Sequence, residues 1–137
     1  MTGMSLVSGF SSGGSMAWLV ACYAGAGYGG FDAARHGAEH GLRVAIVESR
    51  DMGGTCVNVG CVPKKLMVFA SEFPAAMSQA RAYGWDVQQG AFDWGQFKGQ
   101  LHAELDRLEG VYRNILKNNG VTTFDARASL VDAHTVM

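Results

Sequence analysis

The chain of 137 residues predicts an α/β domain in which a βαβ unit lies on a central parallel sheet. Three observations carry that reading. A short apolar run, Trp18 to Tyr23, leads into a glycine-rich turn, Gly25-Ala26-Gly27-Tyr28-Gly29-Gly30. An alanine-rich stretch, Phe31 to His40, follows and stops at Gly41. A second apolar run, Val44 to Val47, then ends in an acid, Glu48. Hydrophobic residues make up 48% of the chain and charged residues 17%, enough apolar material for the core of one domain and too much for a disordered segment.

Each element has a physical reason. The two apolar runs have strand length, and continuous apolar character suits strands buried on both faces of a parallel sheet. Phe31 to His40 reads as a helix, and Gly41 is the residue type that ends helices in the left-handed conformation. Gly25, Gly27 and Gly30 match the G-x-G-x-x-G spacing of a dinucleotide fingerprint, making the unit Rossmann-like. Gly25 permits a tight turn, Gly27 lets backbone approach a pyrophosphate, and Gly30 lets the helix sit close to the strand. Glu48, 23 residues after Gly25, is placed to accept hydrogen bonds from a ribose. It would repel a 2′-phosphate at that position.

Residues 1–16, rich in glycine and serine, read as a flexible extension, with the domain over 17–137. The segment Leu19-Val20-Ala21-Cys22 resembles a lipoprotein cleavage box. A secretory leader needs a positive amino-terminal region, and no Lys or Arg precedes Arg35. A net charge of −1 supplies no basic field for nucleic acid or an anionic membrane surface. Three cysteines are too few for a disulfide scaffold and suit a cytoplasmic location.

Beyond Glu48 comes Gly53-Gly54-Thr55-Cys56-Val57-Asn58-Val59-Gly60-Cys61-Val62-Pro63-Lys64-Lys65, with two cysteines five positions apart at the start of a helical stretch that continues through Leu66 to Ser71. Three readings suit such a pair: a redox pair, two small buried hydrophobes, or half of a zinc site. Thiols near a helix N-terminus have a lowered pKa, and Lys64, three residues beyond Cys61, would add to that effect. His36, His40, His102 and His134 are scattered, so no metal site is expected.

Farther along, Phe97, Leu101, Leu105, Leu108, Tyr112 and Ile115 recur every three or four residues, the apolar face of a helix from Asp93 to about Asn119. Asp93 is a plausible N-cap and Asn118-Asn119-Gly120 a plausible stop. Val121 to Phe124 and Ala128 to Val131 read as strands, joined to the end of the chain by a turn at Asp132-Ala133-His134.

The run from Gly53 to Lys65 resembles the active-site signature of the flavoprotein disulfide reductases. Pro63-Lys64-Lys65-Leu66-Met67 resembles the glutathione and trypanothione branch, and the short loop from Glu48 to Gly53 favours the glutathione-reductase type. Phe92-Asp93-Trp94, Arg107 to Tyr112 and Ala128 to Val136 are similar to bacterial members.

The resemblance implies FAD held by Gly25, Gly27, Tyr28, Gly29, Gly30, Glu48, Ser49, Gly54, Thr55 and Ala128. It implies a redox disulfide of Cys56 and Cys61, carried in a long helical insertion of the Rossmann-like domain. Cys61 would lie next to the flavin and Cys56 would exchange with glutathione disulfide. Lys64 would sit near the flavin, and Arg35 and Tyr112 would line the substrate site. The NADPH domain and the C-terminal domain of the family's homodimer are not recognisable in this sequence. It is therefore read as the N-terminal part of such an enzyme, expected not to turn over alone. Tyr28 departs from the serine common beside the pyrophosphate.

Overall fold

In a computed structural model of the chain, the structure describes residues 5–8, 18–22, 28–129, 131–132 and 136–137. Four strands form one sheet: β1 (Ser5–Ser8), β2 (Trp18–Cys22), β3 (Arg43–Glu48) and β4 (Thr122–Asp125), in the order β1-β2-β3-β4. β2 and β3 run parallel, with Trp18 opposite Arg43 and Cys22 opposite Val47. β3 and β4 are also parallel, from Ala45 opposite Thr122 to Glu48 opposite Asp125. The predicted parallel sheet is therefore present. β1 adds an antiparallel edge, Ser5 opposite Cys22. Within 1–16 the described residues are Ser5–Ser8, and their pairing with β2 is a long-range contact that short-range composition does not reveal.

The connection from β2 to β3 is α1 (Tyr28–Glu39), three residues longer at its start than the sequence implied. Leu42 N–H donates to Gly37 O and Gly41 N–H to Ala38 O, with Gly41 at φ 80°. That paired closure is a Schellman motif, which a glycine makes without steric penalty. From β3 to β4 the chain passes through α2 (Gly54–Asn58), α3 (Cys61–Ala82) and α4 (Trp94–Asn118). α3 runs well past Ser71, through Pro74, where proline's missing N–H costs the helix one backbone hydrogen bond at an exposed position.

α4 has the predicted caps. The Asp93 side chain accepts from Gln96 N–H at 2.9 Å. At the other end Val121 N–H donates to Leu116 O and Gly120 N–H to Lys117 O. Asp93→Ala should lower stability by about 1 kcal/mol, read as a fall in the denaturant midpoint.

The core joins Phe31 and Ala34 of α1, Val44 and Ile46 of β3, Met52, Leu116 of α4 and Val121. Of the predicted α4 stripe, Leu101 is buried, while Tyr112 and Ile115 pack against the core. Phe97, Leu105 and Leu108 are half-buried. A strand over Ala128–Val131 does not form. Instead Ser129 and Met137 exchange two backbone hydrogen bonds, of 2.8 and 2.9 Å. Alanine and serine offer little side chain to pack on a sheet, and a single bridge satisfies the backbone there. Leu130 and the turn residues Ala133 and His134 lie outside the described residues.

Candidate functional site

β3 carries the first site residue. Val44, Ala45 and Ile46 are buried by the sheet and by α1, and the strand delivers Glu48 at its C-terminal end. Glu48 is only 1% exposed, and its Oε1 accepts from Arg50 N–H at 2.8 Å. The Glu48 carbonyl in turn accepts from Ala126 N–H at 2.9 Å, which extends the β3–β4 pairing by one residue. Ala128, two residues on, is half-buried. In open α/β sheets ligands bind beyond the carboxyl ends of the strands, where Glu48 stands.

A narrow cleft joins that acid to the next segment. Its lining is Glu48, Arg50, Asp51, Gly54, Thr55, Asn58 and Val59. Gly53 and Gly54 take φ 110° and 70°, the left-handed region in which glycine carries no Cβ penalty. A Cβ on Gly53 would meet the Val57 side chain at 3.1 Å. This double glycine turns the chain from β3 into α2, with Thr55 and Cys56 exposed on its first turn.

Cys56 and Cys61 are bonded as a disulfide, their Cα atoms 4.8 Å apart. Both cysteines are exposed and bonded to each other, which sets aside the reading of two singly buried hydrophobes. Among the described residues no group of three or more His, Cys, Asp or Glu is placed to hold a metal. Gly60 lies between α2 and α3 and makes the closure possible, because a Cβ there would stand 2.8 Å from Thr55 O and 3.3 Å from Cys56 Cα. Cys61 is the first residue of α3, whose leading N–H groups have no intrahelical partner. Lys64 sits one turn into α3 with its side chain exposed, and its N–H donates to Gly60 O.

The glycine turn is placed only in part. Gly25 and Gly27 lie outside the described residues; Tyr28 opens α1, and nothing is described of its side chain. Gly30 is buried at the start of α1, as close helix packing requires. Gly29 is exposed, and a Cβ there would meet nothing within 4 Å among the described residues. Ser49 is exposed beside Glu48. Parallel strands joined by α1 and a buried acid at the carboxyl end of the second strand fit a nucleotide cofactor.

Arg35 and Tyr112 both have partners within the chain. Arg35 pairs with Asp32 at 2.9 Å and with Glu39 on the same helix. The hydrogen bond to Asp32 is the main reason its pKa is raised. His36 and then Arg35 hold the Glu39 carboxyl below its usual range. Tyr112 meets Phe31 edge-to-face, ring centroids 4.7 Å apart, at the border of the core.

Two residues that the sequence did not single out complete the site. Asn58 Nδ2 lies 3.1, 3.2 and 3.2 Å from the carbonyls of Asp51, Met52 and Gly54. Glu109 Oε1 accepts from Met52 N–H at 3.3 Å across 57 positions. Asn58 could have been suspected from its place between the cysteines; Glu109 leaves no local signal.

Residues 24–137 match the family described as pyridine nucleotide-disulphide oxidoreductase, and the chain belongs to that family. It is 46% identical over 112 residues to a glutathione reductase of a Nostoc species, covering 82% of this chain and 24% of that one. A glutathione reductase of Burkholderia cepacia is 42% identical, with 82% and 25% covered. The thioredoxin reductase SEP1 of Emiliania huxleyi is 36% identical, with 82% and 24% covered. The chain thus spans about a quarter of the length of these curated relatives. The fold is shared with the HOCl-induced flavoprotein disulfide reductase RclA of Escherichia coli, solved as a Cu(II) complex. The TM-score is 0.64 at 22% identity, over 82% of this chain and 23% of that one. No helix among the described residues is long and apolar enough to cross a membrane.

Proposed function

We propose that this chain is the cofactor-binding and disulfide-exchanging part of a FAD- and NADPH-dependent reductase whose substrate is glutathione disulfide. The observation that carries the reading is the Cys56–Cys61 disulfide, set between two helices directly after the cleft that contains buried Glu48. The similarity to glutathione reductases supports the substrate. The relatives are about four times as long, so NADPH binding and the homodimer interface are assigned to the rest of a longer protein.

In this reading Glu48 receives the adenosine ribose, Gly25 to Gly30 and Ser49 border the phosphates and sugar, and Ala128 lies by the adenine. Gly54, Thr55, Cys61 and Lys64 face the flavin. FAD, when held there, would supply an electron pair to open the Cys56–Cys61 bond. Cys56 Sγ, as a thiolate, attacks one sulfur of glutathione disulfide and expels one glutathione thiolate. Cys61 Sγ then attacks Cys56 Sγ, expels the second glutathione and restores the disulfide. One electron pair passes from the cysteines to the substrate, and each departing thiolate takes a proton from solvent. Tyr112 and Arg35 would border the substrate, Arg35 by exchanging an ion pair with Asp32 or Glu39 for a substrate carboxylate.

The test uses the chain reduced with dithiothreitol, desalted and mixed with glutathione disulfide. Wild type should release both glutathiones and return to the disulfide form. Cys56→Ser should release none, and Cys61→Ser should stop with glutathione bound to Cys56, visible by mass spectrometry. Glutathione release from Cys56→Ser would remove Cys56 from its role. Failure of wild type to retain FAD after desalting would confine the cofactor assignment to the longer protein.

A further inference from the structure

We infer that Asn58 and Glu109 are positioning residues for the Cys56–Cys61 pair, holding residues 51–58 in the one shape that keeps both sulfurs within closing distance. This rests on the proposed function only in taking the pair as one that opens and closes. Met52 is held from three directions. Its side chain is fully buried in the core, its carbonyl accepts from Asn58 Nδ2, and its N–H donates to Glu109 Oε1. Asn58 makes the same grip on Asp51 O and Gly54 O, its two N–H protons shared among three carbonyls. Glu109 is itself fixed. Arg113 Nε donates to its Oε1 at 2.9 Å, and Arg113 Nη2 donates to Asp125 Oδ1 of β4 at 2.7 Å, so the grip extends from α4 to the sheet.

None of these bonds involves a sulfur, so all of them survive when the disulfide opens. They therefore decide how near the two thiols stay in the reduced chain. A hydrogen bond to a charged carboxylate, or a carboxamide shared among three acceptors, contributes enough that its loss changes an equilibrium by about tenfold.

The experiment equilibrates the chain in mixtures of reduced and oxidised dithiothreitol. Two electrons pass to the Cys56–Cys61 bond, its sulfurs take up two protons, and the reductant closes into its cyclic disulfide. Alkylation, digestion and mass spectrometry then give the fraction of Cys56 and Cys61 present as thiols. Asn58→Ala and Glu109→Ala should shift the constant toward the dithiol by about tenfold. Glu109→Gln keeps a neutral acceptor for Met52 N–H and should shift the constant clearly less than Glu109→Ala.

A role in stability alone would lower the melting temperature of the alanine variants and leave the constant of the folded chain unmoved. Constants equal to wild type in folded Asn58→Ala and Glu109→Ala overturn the proposal. Should Asn58→Ala not fold, Glu109→Ala against Glu109→Gln decides: a split supports the proposal and equality overturns it. A wild-type pair that equilibrates with dithiothreitol yet leaves glutathione disulfide intact would overturn the substrate reading while this test still stands.

Discussion

Gly60→Ala is expected to destabilise the oxidised chain by about 1–3 kcal/mol, and to make the Cys56–Cys61 bond open at lower reductant. The reason is steric and local. The added Cβ would sit 2.8 Å from Thr55 O and 3.3 Å from Cys56 Cα, both backbone atoms. A flexible side chain could swing aside; these atoms cannot. Thr55 O already accepts from Val59 N–H at 3.0 Å, and Asn58 ties the same helix to residues 51–54. Relief therefore requires α2 to move away from α3, which lengthens the distance the sulfurs must bridge. Paired denaturant titrations of oxidised and reduced protein check this. The variant should lose more stability oxidised than reduced, and equal losses would show that the strain lies elsewhere.

Ile46→Ala is expected to cost about 2–5 kcal/mol, a large share of the 5–15 kcal/mol typical of a whole domain. Ile46 is fully buried in β3, paired with Ala21 on one side and Thr123 on the other. It belongs to the cluster shared by α1, β3, Met52 and α4, so its truncation leaves a cavity at their junction. Ile46→Val, which removes one methyl, should cost only about 0.5–1.5 kcal/mol. Urea midpoints should fall in that order with unchanged slope. An alanine variant no weaker than the valine one would mean that the core collapses around the site.

What could be read from the sequence was what short stretches encode by themselves. β2, β3 and α1 follow from apolar runs around a glycine turn, and Asp93 and Gly120 mark α4 because capping is chemistry within a few residues. The pairing of Cys56 with Cys61 came through a resemblance; spacing alone left three readings open. What escaped depends on partners far off in the chain. Ser5–Ser8 is a strand only because β2 offers an edge. The end of α3 escaped because Pro74 reads as a breaker, although an exposed helix can tolerate it. Glu109 reaches Met52 through the fold alone.

The short span of the disulfide has a thermodynamic consequence. A crosslink stabilises chiefly by shrinking the entropy of the unfolded chain, and that effect grows with the length of chain it encircles. The sulfurs here are separated by 5 positions, so the loop-closure term is about 2 kcal/mol, against about 4.7 kcal/mol for a loop of 100 residues. Neither cysteine belongs to the buried cluster that joins the helices to the sheet. Reducing the bond would therefore take from the fold less than half of what opening a loop of 100 residues would take.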